Sequence, residues 1–274
     1  MQLLDGNQAT GLSPADRGLT LGDGFFSTLH VLQGQICLLP YHLARIQTSL
    51  TRLAFPPLDL CALSAALQAR ALGLEEGVMK IIVTRGQGGR GYSPVGCLSP
   101  TVILSLHPYP EHYRQWQRQG IALGELGLRL GLSPLLAGLK TLGRLEQVLF
   151  KAELESQGQD EALVCDVAGQ MVEAVTANLF WRQGEQVFTP DLAQAGVAGV
   201  MRAWCLKQLA QWHCPVHEVR ERPDALAQAD EIWLTNALMG LVPVRHWRGK
   251  DYPAPGILCR QLQMSYHDDI KTKN

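Results

Sequence analysis

The spacing of apolar residues predicts strands and two helices in the first part of the chain. Strands are predicted at residues 24–32, 35–38, 78–84 and 101–107, and helices from Pro40 and from about residue 59. In the first helix, apolar residues recur at helical spacing as Leu43, Ile46, Leu50 and Leu53. A turn at Gly34 joins the first two strands into a hairpin.

The second part of the chain shows the same mixture of elements. Strands are predicted at 120–129, 161–166, 171–181, 231–236 and 241–246, and helices at 144–156 and 200–212. A glycine-rich bend at 131–143 precedes the first of these helices. Four residues of that helix share one apolar face: Leu145, Val148, Leu149 and Ala152.

Hairpins mixed with helices predict an α+β fold, in which a purely parallel doubly wound sheet is not expected. The chain has 274 residues, enough for one large or two medium domains. The polar stretch at 109–119 is the candidate boundary. We therefore predict a smaller N-terminal α/β domain at 1–115 and a larger C-terminal domain at 116–274.

Composition narrows the possible partners. A net charge of −1, from 24 basic and 25 acidic residues without a basic cluster, argues against nucleic-acid binding. The seven cysteines form no CxxC pair, so no metal site is predicted. The sequence lacks an apolar run of about 18 residues for a membrane span, and its first ten residues do not resemble a signal peptide. We expect a cytoplasmic protein that acts on a small molecule.

Lys140 is the first candidate for chemistry among seven lysines. It lies in SPLLAGLKTLGRLEQ, between small and apolar residues and just before a helix. Burial disfavours an ammonium group and leaves the amine usable as a nucleophile and base. A lysine beside glycine can equally be a loop cation, and Lys80, in an apolar strand, remains a second possibility.

Glu173 is the second candidate, because it interrupts the apolar stretch QMVEAVTANLFW. A carboxylate in such a strand is costly unless a group pairs with it. It is either a surface residue of an edge strand or a partner for a protonated ring nitrogen, as a pyridoxal phosphate (PLP) enzyme requires.

Three segments could bind anions. GVAGVMR, at 196–202, leads into a helix, where glycines and the helix start would direct N–H groups at a phosphate. Thr235 and Asn236 end a strand and could add donors, and Arg45 could give a bidentate contact. An ordinary loop-to-helix junction and a solvated arginine are the alternatives. The loop 86–92 lacks a phosphate-loop ending, so a mobile substrate loop with Arg90 as a carboxylate binder is predicted.

The order of these segments resembles the fold-type IV PLP enzymes, which include branched-chain and D-amino-acid aminotransferases. The resemblance rests on GDGFFSTLHV, YHLARI, the lysine before RLEQVL, DEALVCD, GQMVEAVTANLFW, GVAGVMR and LTNALM, and covers essentially the whole chain. Within this superfamily, RGQGGRGYSP, LLAGLKTLGRLEQVL and DEALVCD resemble the 4-amino-4-deoxychorismate lyases. The resemblance implies a two-domain fold with the cofactor between the domains, and a homodimer.

The resemblance also implies roles for individual residues. Lys140 matches the Schiff-base lysine, and Glu173 matches the glutamate at the pyridine nitrogen. The remaining cofactor contacts match Arg45, Val200, Met201 and Asn236. Thr28 matches a threonine that relays protons in the lyases, and the substrate contacts match Phe26, Arg90 and Tyr92.

The implied reaction is PLP-dependent elimination, which converts 4-amino-4-deoxychorismate to 4-aminobenzoate and pyruvate in folate biosynthesis. A D-amino-acid or branched-chain aminotransferase is the alternative enzyme. Leu145 stands where branched-chain enzymes have a tyrosine five residues after the lysine, which argues against that branch. A non-enzymatic binding or scaffold protein on this fold is the remaining alternative, and the presence of Lys140 with Glu173 argues against it.

Overall fold

The computed structural model describes residues 2–7 and 11–271, and the chain divides into two compact units. Unit 1 contains the chain up to Tyr109 and the short segment Leu139–Gly143, and unit 2 contains Pro110–Gly138 and everything from Arg144 onward. The division differs from the predicted domains in two respects. The change of unit comes at Tyr109 rather than at residue 115, and five residues around Lys140 group with the N-terminal part.

Unit 1 is a five-stranded sheet with helices. Its strands are β1 (Gln2–Asp5), β2 (Gly24–Leu32), β3 (Gln35–Ile36), β4 (Glu76–Thr84) and β5 (Thr101–His107), and its helices are α1 (Arg17–Leu21), α2 (Leu39–Arg52) and α3 (Leu60–Ala71). The sheet order is β1–β5–β4–β2–β3, with β1 parallel to β5 and the other neighbours antiparallel. Asp59 caps the start of α3 by accepting from the N–H of Ala62.

Side-chain alternation gives the unit 1 sheet two different faces. Leu29 and Val31 of β2 are buried in the unit 1 core, together with Ile46 of α2 and Leu63 of α3. The opposite face carries the side chains of Phe26, Thr28 and Lys80, which are half-buried. The helices therefore cover one face of the sheet, and the other face carries Phe26, Thr28 and Lys80.

Unit 2 is a larger mixed sheet with helices. Its strands are β6 (Ile121–Glu125), β7 (Glu161–Cys165), β8 (Met171–Ala174), β9 (Asn178–Gln183), β10 (Gln186–Pro190), β11 (Val216–Val219), β12 (Glu231–Asn236), β13 (Gly240–Trp247) and β14 (Lys250–Asp251). Its helices are α4 (His112–Gln119), α5 (Leu145–Ser156), α6 (Val200–Gln211), a 3₁₀ helix (Pro223–Gln228) and α7 (Ile257–Lys271). The sheet order is β11–β10–β9–β12–β13–β6–β7–β8, with β14 on β13. Parallel and antiparallel pairs both occur, which confirms the predicted mixed α+β fold.

Three local predictions for unit 2 differ from the structure. The strand predicted at 171–181 is divided into β8 and β9, because the backbone hydrogen bonds between Ala174 and Ala177 form a turn. The strand predicted at 120–129 ends at Glu125. The polar stretch at 109–119, expected as a boundary, contains helix α4, whose last turn is closed by a hydrogen bond from the N–H of Gly120 to the carbonyl of Trp116.

The apolar face predicted for α5 does not pack into the core. Leu145, Val148 and Leu149 are 80%, 61% and 57% exposed. The buried residues of α5 are instead Phe150 and Leu154, which lie on another side of the helix. The apolar stripe is therefore on the surface of the chain, where the spacing alone suggested burial.

No helix among the described residues is both long enough and apolar enough to cross a membrane. Within the same ranges, no group of three or more His, Cys, Asp and Glu side chains is placed to hold a metal ion.

Candidate active site

Lys140 lies in a short segment that extends the sheet of unit 1. Thr141 forms an antiparallel bridge with Phe25 of β2. The N–H of Phe26 donates to the carbonyl of Lys140 at 2.9 Å, and the N–H of Leu142 donates to the carbonyl of Gly24 at 3.1 Å. The register places Lys140 directly opposite Phe26. Because paired residues share a face, the two side chains are on the same side of the sheet.

Three further side chains share this face with Lys140. The Nζ of Lys140 lies 4.7 Å from the centroid of the Phe26 ring, and the Nζ of Lys80 lies 5.1 Å from the same centroid. Thr28 pairs with Lys80 in the register of β2 and β4. It stands diagonally across from Lys140, and diagonal neighbours in a sheet are about 7–8 Å apart, within reach of a long side chain. The structure thus brings together three predicted residues and Lys80, whose place in this group the sequence did not reveal.

Arg45 lies on the other side of β2, in a small polar cluster. Its Nη2 donates to the hydroxyl of Ser27, and this hydroxyl is 2.7 Å from Nδ1 of His42. Burial and then the charge of Arg45 hold the pKa of His42 well below 6.5. The imidazole is therefore neutral near pH 7. Since Ser27 has one hydrogen to donate, Nδ1 accepts it and Nε2 carries the ring proton.

The guanidinium of Arg45 has the properties of an anion binder. Burial lowers the pKa of Arg45 to about 10, a value that still leaves it charged near pH 7. Its Nε is buried and has no hydrogen-bond partner among the residues that the structure describes. A buried cation with an unused donor is stabilised by an anion such as a phosphate. Sequence spacing could not have found its companion Ser27, which lies 18 residues away on a strand.

Arg90 and Tyr92 are in the loop between β4 and β5, and both are exposed. Tyr92 is 89% exposed. The loop is anchored by the buried side chain of Arg17, which donates to the carbonyls of Gly91 and Tyr92. The mobile loop that the glycines suggested is therefore fastened at one point.

In unit 2, Glu173 lies on β8 and is only 6% exposed. Its Oε2 accepts a hydrogen bond from the N–H of Val197 at 2.9 Å. Burial lowers the pKa of the Arg144 guanidinium, and the negative charge of Glu173 acts on that pKa in the opposite direction. Of the two alternatives that the sequence left open, the exposed edge glutamate is wrong, because the carboxylate is buried beside the 196–202 segment.

The 196–202 segment leads into α6 as predicted. Asn178 supports it on both sides: its Nδ2 donates to the carbonyl of Val197 at 2.8 Å, and its Oδ1 accepts from the N–H of Gly199 at 3.1 Å. A Cβ at Gly199 would lie 2.2 Å from Oδ1 of Asn178, so glycine is required there. Val200 and Met201 are the first residues of α6, and the backbone N–H groups of a first helical turn lack helical partners.

The last two residues of β12, Thr235 and Asn236, differ in the hydrogen-bond donors that they can offer. Thr235 pairs with Asn178 across β12 and β9, and its buried Oγ1 has no hydrogen-bond partner in the described part of the chain. The side chain of Asn236 is engaged at both ends, because its Nδ2 donates to the carbonyl of Thr176 at 3.2 Å and its Oδ1 accepts from the N–H groups of Leu238 and Met239. Thr235 is therefore the better side-chain donor at this position.

Comparison with known proteins identifies the relatives of this chain. A model of the amino-transferase class IV family matches residues 24–247. Aminodeoxychorismate lyase from Vibrio harveyi is 39% identical over 95% of this chain and 97% of its own length. The crystal structure of 4-amino-4-deoxychorismate lyase from Pseudomonas aeruginosa is 44% identical, with a TM-score of 0.89 and 96% of each chain covered.

A third relative establishes only the fold. The branched-chain amino acid aminotransferase of Escherichia coli superimposes with a TM-score of 0.83 over 94% of this chain and 89% of its own, at 20% identity. The two-unit architecture, the family model and the two lyases agree with one another. The chain belongs to the amino-transferase class IV family.

Proposed function

We propose that this chain is a PLP-dependent carbon–oxygen lyase that converts 4-amino-4-deoxychorismate to 4-aminobenzoate and pyruvate. The observation that carries the proposal is the common face of Lys140, Thr28 and Phe26, which offers a base and a hydroxyl proton donor side by side. The choice of substrate is supported by the two lyases at 39% and 44% identity.

The residues present fit the chemistry of PLP. In unit 1, Lys140 supplies an amine for covalent attachment, and Arg45 has a buried Nε without a protein partner. In unit 2, Glu173 supplies a buried carboxylate for a ring nitrogen. The start of α6, at Val200 and Met201, supplies N–H groups for a phosphate.

The unused Oγ1 of Thr235 lies on the strand next to Asn178, which holds the start of α6. We therefore assign a phosphate contact to Thr235 in addition to the predicted ones. The predicted contact of Asn236 would come from Nδ2, which has a second hydrogen besides the one donated to the carbonyl of Thr176, or from its backbone.

PLP, when bound, supplies a sink for the electron pair that is released when the substrate carbon bearing nitrogen loses its proton. Lys140 takes up that proton, and its place in a paired segment opposite Phe26 fixes the direction of its amine. Thr28 donates its hydroxyl proton to the oxygen of the departing enolpyruvate and receives in exchange the proton that Lys140 has taken up, so that the hydroxyl and the amine are both restored. The enolpyruvate then becomes pyruvate. The ring that remains is aromatic, so the elimination is strongly downhill.

The substrate has two carboxylates, and exposed or half-buried cations are available for them. Lys80 shares the face of Lys140 and Thr28, and it can attract a carboxylate toward that face. Arg90 and Tyr92 in the loop before β5 are the predicted second contact. Recognition by separated cations would favour a dicarboxylate over a monocarboxylate.

The test is direct incubation of the purified chain with PLP and enzymatically made 4-amino-4-deoxychorismate. We expect 4-aminobenzoate and pyruvate in equal amounts. Lys140→Ala should abolish both products and the visible absorbance of the bound cofactor, while Lys151→Ala, at an exposed lysine paired with Glu155, should retain both. A Lys140→Ala variant that kept turnover would contradict the proposal. Transfer of the amino group to an added keto acid, without 4-aminobenzoate, would favour the aminotransferase alternative.

We also propose that the chain works as a homodimer. The proposal is supported by the apolar side chains of Leu145, Val148 and Leu149 on the surface of α5, since clustered exposed apolar residues commonly mark an association surface. Light scattering should give twice the chain mass. Val148→Glu with Leu149→Glu should halve it, and a wild-type monomer at micromolar concentration would contradict the proposal.

The proposed reaction would supply 4-aminobenzoate for folate biosynthesis in the cytoplasm. A bacterial strain that lacks its own lyase and requires 4-aminobenzoate should grow without it when it produces this chain. Continued dependence on added 4-aminobenzoate, with the protein present at normal level, would contradict this assignment.

A further inference from the structure

Arg17 makes an unusual set of contacts for a side chain outside the proposed chemistry. It is the first residue of α1 and is 6% exposed. Its Nη1 donates to the carbonyls of Gly91 and Ser93 at 3.1 and 3.2 Å, and its Nη2 donates to the carbonyl of Tyr92 at 3.1 Å. One buried guanidinium thus binds three successive carbonyls of the loop between β4 and β5.

The guanidinium itself is held in place by a carboxylate. Nε of Arg17 donates to Oδ2 of Asp23 at 2.8 Å, and Nε of Arg85 donates to the same oxygen at 2.7 Å. Burial alone would raise the pKa of Asp23, but the hydrogen bonds from Arg85 and Arg17 hold it below 3.8. Arg85 also binds the carbonyls of Leu53 and Ala54 after α2. The anchor is therefore connected to the folded core of unit 1.

The loop contains no helix or strand between β4 and β5. Its backbone hydrogen bonds are local: Ser93 N–H donates to the carbonyl of Arg90 at 3.2 Å, and Cys97 N–H donates to that of Pro94 at 3.1 Å. At its start, the carbonyl of Gly86 accepts from the backbone N–H of Arg17 at 3.0 Å. The side chain of Arg17 adds the three bonds to the carbonyls of residues 91–93. Several of its glycines have positive φ: Gly86, Gly88, Gly89, Gly91 and Gly96. Such residues lose much conformational freedom on ordering. At Gly89 a Cβ would lie 2.0 Å from the carbonyl oxygen of Ser93 and 3.0 Å from Nη1 of Arg17, so only glycine lets the guanidinium approach.

The turn whose carbonyls Arg17 binds carries two exposed side chains, those of Arg90 and Tyr92. Arg17 binds the carbonyl of Tyr92, while the ring of Tyr92 is 89% exposed, and Arg90 next to the bound Gly91 is exposed too. Fixing the main chain at 91–93 fixes the direction in which the Tyr92 side chain leaves it, and the hydrogen bond from the N–H of Ser93 to the carbonyl of Arg90 ties Arg90 to the same turn. The guanidinium therefore controls residues that it does not touch through their side chains.

We propose that Arg17 is a positioning residue for substrate recognition: it orders the 90–93 turn in advance, so that Arg90 and Tyr92 are presented to a substrate carboxylate. The identity of the substrate in this proposal rests on the proposed function. The ordering of the 90–93 turn by Arg17 is independent of it. With the anchor, the entropy of ordering the turn is lost on folding. Without it, that entropy is lost when the substrate binds, and the apparent affinity falls.

The exchange measurement uses the cofactor-loaded protein and three variants. Arg17→Lys keeps a charge beside Asp23 but has no fork to bind three carbonyls, and Arg17→Gln removes the charge as well. Arg70→Gln is the control, since Arg70 pairs with Asp5 elsewhere in unit 1. Hydrogen exchange of residues 86–97 should become faster in both Arg17 variants and remain unchanged in the control.

The kinetic result separates positioning from general damage. We expect KM to rise about tenfold or more in Arg17→Lys, with kcat at saturation and the visible absorbance of the bound cofactor close to wild type. Arg90→Gln should raise KM without changing exchange. In the double variant, Arg17→Lys should add little to the effect of Arg90→Gln, because it acts through that side chain.

Two results would overturn the proposal: unchanged exchange in residues 86–97 of Arg17→Lys, or faster exchange there with unchanged KM. A fall in kcat with normal KM would assign Arg17 to general stability and would also overturn it. If the wild-type chain made no 4-aminobenzoate, the proposed function would fail separately. The exchange measurement would then decide the ordering role alone, with lost protection supporting it and retained protection refuting it.

Discussion

Replacement of Glu173 by glutamine isolates the charge of the buried carboxylate. The side chain is 6% exposed, and its Oε2 accepts from the N–H of Val197 at 2.9 Å. Glutamine has nearly the same shape and retains an oxygen for this hydrogen bond. It loses the negative charge that a protonated cofactor nitrogen needs.

The expected magnitude follows from the hydrogen bond that changes. A hydrogen bond to a charged group contributes about 1.5–3 kcal/mol net, and 1.36 kcal/mol corresponds to a factor of about ten in rate. Glu173→Gln should therefore lower kcat roughly 10- to 150-fold, since the electron sink is needed in the transition state.

The assay measures kcat for 4-aminobenzoate formation and the affinity for PLP by its visible absorbance. Glu161→Gln is the matched control, because Glu161 is also a buried strand glutamate of unit 2, bonded to Thr176 instead. The control should keep kcat within about threefold. Near-normal kcat in Glu173→Gln, or an equal loss in both variants, would refute the assignment of Glu173 to the ring nitrogen.

Three further predictions concern the supports of the site. Gly199→Ala should weaken PLP binding about tenfold or more. The reason is that a Cβ would lie 2.2 Å from Oδ1 of Asn178 and displace the start of α6. Unchanged affinity in an absorbance titration would contradict this role. Burial raises the pKa of Glu161 to about 7 from 4.5, so the folded protein binds more protons than the unfolded one between these pH values. Unfolding by urea should show stability falling as pH rises through this window, by up to about 3 kcal/mol, and Glu161→Gln should remove this slope; a slope that persists would contradict it. Ser27→Ala removes the acceptor of Arg45 and should weaken inorganic phosphate and PLP binding severalfold, whereas equal binding by calorimetry would show that Arg45 does not depend on Ser27.

Two strands were predictable from the sequence with their bounds. Residues 24–32 and 231–236 form β2 and β12, because each is a short run rich in β-branched, aromatic and other apolar residues, of the length of a strand. The first helix was also predicted, and begins at Leu39 with Pro40 in its first turn. Local periodicity is enough where an element packs on one face.

Burial and long-range pairing were not predictable from local patterns. The stripe of Leu145, Val148 and Leu149 has helical spacing, yet the core receives Phe150 and Leu154, because the direction of a helix face depends on the tertiary fold. The sequence also left the burial of Glu173 undecided, since strand composition does not distinguish an exposed edge from a covered one.

In the candidate site too, the residue types were predictable from the sequence and their long-range pairing was not. The residue types were visible in the sequence, and the resemblance assigned their roles. The pairing of the Lys140 segment with β2 joins residues more than 100 positions apart, so no spacing rule brings Lys140, Phe26 and Lys80 to one face. The same holds for Arg17, whose contacts with Gly91 and Tyr92 turn a glycine-rich loop into an anchored one.

The central claim is that Lys140 carries the cofactor. The most direct measurement is borohydride reduction of the PLP-loaded protein, followed by proteolysis and mass spectrometry of the labelled peptide. The account predicts one stable label, on Lys140. A label on Lys80, which lies 5.1 Å from the same Phe26 ring centroid, or no lysine label at all, would contradict it.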